Sequence, residues 1–596
     1  MTPMPLSRAI PIAWLLAAAM LCLVLRPLIA DMIFSDPDDA MRLLQVRDWM
    51  DGQSWWDVGQ HRLNGGDFPM HWSRLVDLPL AAVMLVFDPL VGRTAATRIA
   101  MVVVPLTTLL AIMATAAHLT RRLAGEEQAR LAMLLAALAV PLIYQVRPMR
   151  IDHHGWQIAL ALAATVALVT RPTAGGGAMA GLALAALVTI SLEGLPIAAL
   201  IAGVAALAWA SEPHRRGFVK ALVVSLFAGA AALHLATRGP FWLTSACDAI
   251  SPAWLVMLGI AAAAVLLTTH LRLASPFARI AALATGGAAA VASLLVIAPE
   301  CARGPFATLD PLVRTIWYDS VQEGLPLWHQ SLGWAVMTVA LPIVGLFGTV
   351  RALRRSTGEA RTRWLLMLAV LLPATLLSCL VNRAGATANA LALPGAASLL
   401  MLMLLRARAV PGFLPRVGAT AAALVVASPG LAAGGALAIA RLVSPPVQSL
   451  PMANGSIRQP CETFADVRAL GRLSAGVVFL PIDVTPELIA TTRHTAIAGG
   501  YHRNAAAMHK VLASFTGTPE QAEAIVRRAG ATYVAGCPGF SETNLYRYYA
   551  PRGFWARLER GERFDWLRPI AMSGSPVLVW RVVRTAAPLP RAMPRS

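Results

Sequence analysis

The stretch "SDPDDAMRLLQV", residues 35–46, places three carboxylates directly after an apolar run: Asp36, Asp38 and Asp39. One explanation is the start of a helix, with Asp36 as the N-cap, Pro37 as the first helical residue, and the other two acids in the positive first turn. The other explanation is a metal site, because Mg²⁺ and Mn²⁺ prefer carboxylate oxygens as ligands. Taken alone, the local pattern favours the helix start, so the rest of the chain must decide.

The composition of the 596-residue chain is that of a membrane protein. Hydrophobic residues make up 57% of it and charged residues only 14%, against roughly 45–50% and about 25% in soluble domains. The excess lies in long runs of Ala, Leu and Val, which predicts many membrane spans. The formal net charge is +19, but many arginines lie in short loops between apolar runs, where they set the topology. No RNA- or DNA-binding motif is present, so we expect no nucleic-acid partner.

Thirteen apolar segments are long enough to span a bilayer, and basic residues mark every second connection between them. The positive-inside rule makes these connections cytoplasmic. We therefore predict an α-helical, multi-pass protein of the bacterial inner membrane, with a cytoplasmic N-terminus and a periplasmic C-terminus. The segment 76–92 is interrupted by Asp and Pro and is predicted to be an interfacial helix. The thirteen segments begin near residues 9, 97, 131, 157, 178, 195, 218, 254, 280, 330, 364, 388 and 417.

The chain divides into a predicted membrane domain, residues 1–440, and a soluble periplasmic domain, residues 441–596. The first outer loop of the membrane domain is 31–96. Patterning predicts that the soluble domain is mixed α/β. Its expected strands are 476–482, 531–536 and 577–583, and its expected helices are 503–515 and 519–530.

Four of the six cysteines lie in segments predicted to be outside the cytoplasm. Cys247 and Cys301 lie in outer loops, and Cys461 and Cys537 lie in the soluble domain. Two disulfides, 247–301 and 461–537, can therefore form, but sequence alone does not fix the pairing.

A second group of polar residues ends the third predicted span, in "RPMRIDHHGWQ", residues 147–157. Asp152, His153 and His154 stand together there, with Arg150 just before them. A carboxylate and an imidazole in an irregular turn can bind one cation, and the imidazole moves the preference toward Mn²⁺. An interfacial turn whose polar groups lie in water explains the stretch equally well.

Two more acids lie at the outer ends of predicted spans. Glu323 belongs to "SVQE", residues 320–323, and Glu193 to "TISLEGLP", residues 189–196. Each can be a solvated loop or helix-end residue, although a carboxylate at the membrane edge is also a functional candidate. Acids from three separate outer loops can converge on one side of the membrane. A divalent cation held by such carboxylates, with arginines nearby, is a common way to bind a diphosphate.

These motifs together resemble the GT-C class of membrane glycosyltransferases, and most of all the catalytic subunit of oligosaccharyltransferases. That family has thirteen spans, an extracytoplasmic active site and a C-terminal soluble domain. "SDPDDAMR" is similar to its first-loop Asp-Pro motif followed by an arginine, here Arg42. "DHH" at 152–154 is similar to its second acidic motif, and "SVQE" to its Ser/Thr-Val/Ile-x-Glu motif. Arg383, in "LVNRAG", resembles by placement an arginine that contacts the lipid-linked diphosphate.

The resemblance implies a function and a set of roles. The protein would transfer a sugar from a polyprenyl phosphate or diphosphate carrier at the periplasmic face, in contact with membrane lipid. Asp36 or a nearby acid would orient or deprotonate the acceptor. The implied metal ligands for Mn²⁺ or Mg²⁺ are Asp36, Asp152, His154 and Glu323. The candidate catalytic acids are Asp36, Asp38, Asp39 and Glu193. The donor phosphate would be bound by Arg383 and Arg150, and the acceptor or phosphate would be contacted by His153, His502 and Arg503.

One departure from the family concerns the acceptor. Oligosaccharyltransferases read the acceptor sequon with a Trp-Trp-Asp-Tyr-Gly motif in the soluble domain, whereas the similar "WWDVG" of this chain, 55–59, lies in the first outer loop. The expected acceptor is therefore a glycan, a lipid or an unknown protein. Two other classes fit the span count: a transporter or flippase, and a non-catalytic assembly protein with this fold. Transporters usually carry ionisable residues at mid-membrane, whereas the acids here collect at the outer ends.

Overall fold

A computed structural model describes residues 4–271, 273–443 and 460–583. The first of its two parts is helical and corresponds to the predicted membrane domain. Its helices are α1 (Leu6–Val24), α2 (Arg26–Ala30), α3 (Pro37–Met50), α4 (Asp77–Val91), α5 (Arg93–Ala124), α6 (Glu126–Leu138), α7 (Val140–Tyr144), α8 (His154–Thr170), α9 (Ala174–Ile190), α10 (Leu195–Ser211), α11 (Arg216–Arg238), α12 (Pro252–His270), α13 (Pro276–Ile297), α14 (Pro311–Ile316), α15 (Leu332–Arg355), α16 (Gly358–Leu380), α17 (Gly385–Arg408), α18 (Phe413–Ala427) and α19 (Pro429–Val443).

The protein is a multi-pass membrane protein, but the count of thirteen spans is not confirmed. Within the described ranges, nine helices are long and apolar enough to cross a membrane, or ten if the bent pair α18–α19 is one span. Each predicted segment does coincide with a helix, yet α8 and α9 have only 17 residues and α6 has 13. The last segment bends by 102° between its two helices. A hydropathy window averages over such breaks, and Pro141 and Pro429 mark two of them because proline is favoured at the first turn of a new helix.

Glycines allow the longest helices to approach closely. A methyl group at Gly177 or Gly181 of α9 would overlap backbone atoms of α11, and one at Gly348 of α15 would overlap the backbone of α17 at Gly395. Small residues spaced in this way are typical of helix contacts in membranes, where close packing rather than the hydrophobic effect favours association. The predicted interfacial segment 76–92 is the 15-residue helix α4.

The second part of the chain is an α/β domain around a five-stranded sheet with strand order β2-β1-β3-β5-β4. Strand β1 runs parallel to β2 and β3, and β5 is antiparallel to β3 and β4. Three strands and two helices match the prediction, whereas the short strands β2 and β4 were not predicted. The strands are β1 (Val477–Phe479), β2 (Thr495–Ala496), β3 (Tyr533–Gly536), β4 (Leu567–Ile570) and β5 (Leu578–Val582), and the helices are α20 (Thr485–Thr491), α21 (Ala505–Thr516), α22 (Pro519–Arg528), α23 (Ser541–Tyr549) and α24 (Phe554–Glu559).

Both cysteine pairs that the sequence left open are disulfides. Cys247–Cys301 joins two of the loops predicted to be outer, which keep that name below, and Cys461–Cys537 lies in the α/β domain. The predicted boundary at 440/441 falls inside α19, and residues 444–459 lie outside the described ranges. The division at that boundary stays a prediction.

Candidate active site

Asp36 begins α3 and faces the candidate site at the same time. Its Oδ1 accepts a hydrogen bond of 3.0 Å from the Asp38 backbone N–H, so Asp36 is the N-cap, and Pro37 is the first helical residue. Its Oδ2 lies 2.7 Å from Arg150 Nη1. The helix cap and the contact with Arg150 therefore use different oxygens of one carboxylate.

Arg150 lies at the centre of three carboxylates from two separate segments. Besides Asp36, Nη1 contacts Asp39 Oδ2 at 3.2 Å, and Nη2 contacts Asp152 Oδ2 at 2.8 Å. The Arg150 side chain is 2% exposed. Asp39 also accepts a hydrogen bond of 2.8 Å from the backbone N–H of Ile151, which fixes α3 against the turn before α8.

Asp152 in turn orients His154. Its Oδ1 accepts from the His154 backbone N–H at 2.9 Å, and its Oδ2 lies 2.8 Å from His154 Nδ1. The rings of His153 and His154 stack with centroids 4.3 Å apart. Glu193 Oε2 lies 3.4 Å from His153 Nε2 and 3.7 Å from His154 Nε2.

The ion-pair network continues through Arg383 to Glu323. Arg383 Nη1 donates to Glu193 Oε1, and Nη2 lies 3.1 Å from Glu323 Oε1. These three residues lie in short 3₁₀ turns at helix ends, Leu192–Gly194, Gln322–Gly324 and Asn382–Ala384. One chain of contacts thus joins nine of the predicted site residues: Asp36, Asp39, Arg150, Asp152, His153, His154, Glu193, Glu323 and Arg383.

His502 and Arg503 form a different cluster. His502 Nε2 lies 2.8 Å from Asp248 Oδ2, and Arg503 contacts both oxygens of Asp248 at 2.6 and 2.8 Å. His71 Nδ1 lies 3.8 Å from the same carboxylate. These contacts join the α/β domain to two outer loops of the membrane domain, and none of the contacts found for His502 or Arg503 is to the network around Arg150.

The α/β domain does reach the network, through residues that the sequence did not single out. Tyr501 is 4% exposed; its hydroxyl lies beside Asp38 and makes no hydrogen bond of ordinary length. Asp483 lies close enough to Asp36 for their charges to interact. Both follow parallel strands, β1 and β2, whose carboxyl ends share one edge of the sheet. That edge is where ligands bind in many α/β sheets. The sequence offered this signal for Asp483, which follows the predicted strand β1, but not for Tyr501, because β2 was not predicted.

Burial and charge separate the carboxyl groups into two kinds. Burial raises the pKa of Asp39 to about 7 despite Arg150, and burial together with Asp36 and Asp152 raises the pKa of Asp38 well above its usual range. Burial also acts on Asp152, but Arg150 and His154 hold its pKa well below the usual range. The site therefore contains a carboxylate whose pKa is lowered, Asp152, and two carboxyl groups whose pKa values are raised, that of Asp39 to about 7. Such divergent pKa values are typical of acid–base sites.

The donor atoms at this site fit a divalent cation. Asp152, His153 and His154 each offer one ligand atom, and these atoms lie within 4.8 Å of one another. His153 Nδ1 and His154 Nε2 are buried and make no hydrogen bond. Despite burial, the Asp152 carboxylate raises the pKa of His154 to about 9, so a metal ion bound at His154 Nε2 would displace a proton. Carboxylate plus imidazole is a donor set that suits Mn²⁺.

Two other clusters of metal-ligand residue types occur in the described residues, and both are less suitable. In the His71–Asp248–His502 cluster, Arg503 contacts both oxygens of the Asp248 carboxylate, whereas Arg150 contacts one oxygen of Asp152. The cysteines of the other, Cys247 and Cys301, are joined in a disulfide and offer no thiolate.

The architecture and the placement of the motifs define a membrane protein with a GT-C-like fold, as the sequence predicted. The chain is similar to the oligosaccharyltransferase AglB of Archaeoglobus fulgidus in complex with an inhibitory peptide and a dolichol-phosphate, with a TM-score of 0.63 and 14% identity over 88% of this chain and 69% of that one. The structure of the Archaeoglobus fulgidus oligosaccharyltransferase in complex with Zn and sulfate has a TM-score of 0.56 and 15% identity over 88% of this chain and 67% of that one. ArnT of Cupriavidus metallidurans bound to undecaprenyl phosphate has a TM-score of 0.48 and 14% identity over 97% of this chain and 99% of that one. No family model matches the sequence, and no curated protein matches it.

Proposed function

We propose that this protein is a glycosyltransferase that takes a sugar from a polyprenyl-linked phosphate or diphosphate and transfers it at the periplasmic face of the inner membrane. The observation that carries the proposal is the continuous network from Asp36 through Arg150, Asp152, His154, Glu193 and Arg383 to Glu323. Five separate segments, each predicted to be at the outer side, supply these residues. The fold shared with AglB, whose structure contains a dolichol-phosphate, supports a lipid-linked donor.

The two arginines and the metal-ligand residues would act on the donor. Arg383 and Arg150 would bind the phosphate oxygens, for which planar guanidinium groups are well suited. Asp36, Asp152, His154 and Glu323 would hold Mn²⁺ or Mg²⁺. A cation bound there would neutralise the charge that grows on the leaving phosphate as the glycosidic bond breaks. The AglB structure with Zn and sulfate supports cation and oxyanion binding in this fold.

The first turn of α3 would act on the acceptor. Asp38 and Asp39 have raised pKa values, so either can take a proton from an acceptor hydroxyl more readily than a permanently charged carboxylate. Asp36, if it is a metal ligand, is a poorer base because a metal lowers the pKa of its ligand. Glu193 and His153 would orient the acceptor from the opposite side. These features favour a hydroxyl acceptor, on a glycan or a lipid.

The experiment measures the glycan profile of cells that carry the wild type, Asp152→Ala or Glu323→Gln. It also measures the polyprenyl phosphate or polyprenyl diphosphate that the purified proteins release from a lipid extract. We expect both variants to remain folded in the membrane but to lose the glycan product in cells and the release of the polyprenyl carrier in vitro. Asp319→Asn is the matched control, because Asp319 is an exposed carboxylate in the same outer loop as Glu323 and should retain both signals. Unchanged glycans and unchanged release in the two folded variants would reject the proposal.

A further inference from the structure

The oxygens that would bind a metal ion already bind a cation of the protein itself. Asp36 Oδ2 and Asp152 Oδ2 lie 2.7 and 2.8 Å from the two terminal nitrogens of Arg150. The Asp152 and Arg150 side chains are 1% and 2% exposed, and that of Asp36, at the rim of the site, is 23% exposed. Water therefore screens the charges of Asp152 and Arg150 little.

Arg150 is fixed in this position from several sides. Its Nε donates to Gln145 Oε1 at 3.3 Å, and the guanidinium lies 5.6 Å from the centre of the Tyr144 ring. Asp39 accepts both from Arg150 and from the backbone of Ile151. The arginine is therefore part of a built arrangement rather than a freely moving side chain.

A metal ion and Arg150 cannot use Asp36 and Asp152 together in this geometry. Carboxylate ligands bind Mg²⁺ or Mn²⁺ at roughly 2.0–2.2 Å, which would place the ion against the guanidinium. Two cations in such a buried place repel each other strongly. By contrast, His153 Nδ1 makes no hydrogen bond, and the only ion-pair partner found for His154 Nε2 in the described residues is Glu193, at 3.7 Å.

We infer that Arg150 is a built-in competitor of the divalent cation for Asp36 and Asp152, and that it sets the metal affinity of the site. This inference rests on the proposed function for the presence of a metal. When the guanidinium is displaced, it is free to bind a phosphate oxygen of the donor nearby. Metal binding and phosphate binding would then favour each other. The free-energy cost of displacing the Arg150 guanidinium arises once, and both ligands benefit from it.

The test is a titration of the purified full-length protein with Mn²⁺ alone, followed by the electron paramagnetic resonance signal of free Mn²⁺. We expect Arg150→Gln to bind Mn²⁺ at least about tenfold more tightly than the wild type, since removal of a buried neighbouring charge is a large electrostatic change. Arg147→Gln is the matched control. Arg147 also lies over the Tyr144 ring, at 4.3 Å, but it makes none of the ion pairs found in the described residues, so its replacement should leave the affinity unchanged.

A second variant keeps the test decisive if Arg150→Gln does not fold. Arg150→Lys retains the charge but lacks the fork that contacts two carboxylates at once, so we expect about threefold tighter binding. Equal or weaker Mn²⁺ binding in the folded variants would overturn the inference, as would an absence of binding in all of them. The transferase proposal is judged separately, by release of polyprenyl phosphate or polyprenyl diphosphate with and without a chelator.

Discussion

Glu542 is a buried carboxyl group whose protonation should control the stability of the α/β domain. Its oxygens accept from the backbone N–H groups of Ile482 and Asp483 at 2.9 and 2.8 Å, and Tyr546 donates to it. Burial, reinforced by the Asp483 charge, raises the pKa of Glu542 from 4.5 to about 8. A group whose pKa is higher in the folded state stabilises the fold while it is protonated, and this stability is lost as the pH rises through the folded value.

We therefore expect the melting temperature of the α/β domain to fall between about pH 5 and pH 8. Glu542→Gln should flatten this slope, at a cost of about 1 kcal/mol at pH 6 for the lost hydrogen bond. Thermal unfolding of the full-length protein in detergent, followed by tryptophan fluorescence, measures both effects. The exposed Glu520 provides the control, since Glu520→Gln should keep the wild-type dependence of melting temperature on pH. The same dependence in the wild type, Glu542→Gln and Glu520→Gln would contradict the prediction.

At the residue scale, the sequence identified the acidic residues but not their partners. Asp36, Asp152 and Glu323 attract notice because acids are rare in an apolar chain and these lie at span ends. Their roles as ligands stay predictions, although the structure brings them into one network. Arg150 joins three of the acids, and Tyr501 lies beside Asp38. Both contacts depend on the packing of segments that are far apart in sequence. No local pattern contains this information.

The contact between α15 and α17 is set by glycines, and it provides a test at the scale of helices. A methyl group at Gly348 would overlap the backbone of Gly395, whereas one at Gly203 of α10 would meet nothing within 4 Å. We expect Gly348→Ala to force the helices apart and to destabilise the protein by about 1–3 kcal/mol, as overpacking does. Gly203→Ala should be neutral or slightly stabilising, because alanine favours the helix. Melting curves of the two variants give the comparison, and similar shifts would show that the close approach is unimportant.

At the scale of elements, periodicity and composition located the helices better than they located their ends. Every predicted apolar segment contains a helix, because burial in lipid requires internally satisfied backbone groups. The number of spans is uncertain from sequence because α6, α8 and α9 are short, and because Pro429 begins a new helix after a bend. The edge strands β2 and β4 were missed because they are short and only partly apolar.

At the scale of the whole molecule, the α/β domain is held on the first outer loop by arginines that donate to backbone carbonyls. Arg62 donates to Thr492 at 2.6 Å, and Arg468 donates to Asp31 at 2.7 Å. The partners are more than 400 residues apart in sequence, so the sequence predicted the two parts without predicting their arrangement. This arrangement places Tyr501 and Asp483 at the candidate active site.

Asp248 should hold the loop that carries Tyr501 in place. It belongs to an outer loop tied down by the Cys247–Cys301 disulfide, its side chain is 10% exposed, and it contacts both His502 and Arg503. Removal of one member of a buried ion pair leaves the other charge without compensation, which typically costs 2–5 kcal/mol. We therefore expect Asp248→Asn to release residues 499–504, with amide hydrogen exchange there at least about tenfold faster while β1 and β3 stay protected.

Asp310 provides the matched control for this effect. It also joins an outer loop to the α/β domain, through His509 at 3.0 Å, but the two side chains are 33% and 49% exposed. Exposed ion pairs contribute little, and asparagine can still cap α14, so Asp310→Asn should leave the exchange nearly unchanged. If the two variants gave the same exchange pattern, Asp248 would not be what holds the loop. If Asp248→Asn alone released the loop and also lowered sugar transfer, the α/β domain would act in catalysis by placing Tyr501 beside Asp38.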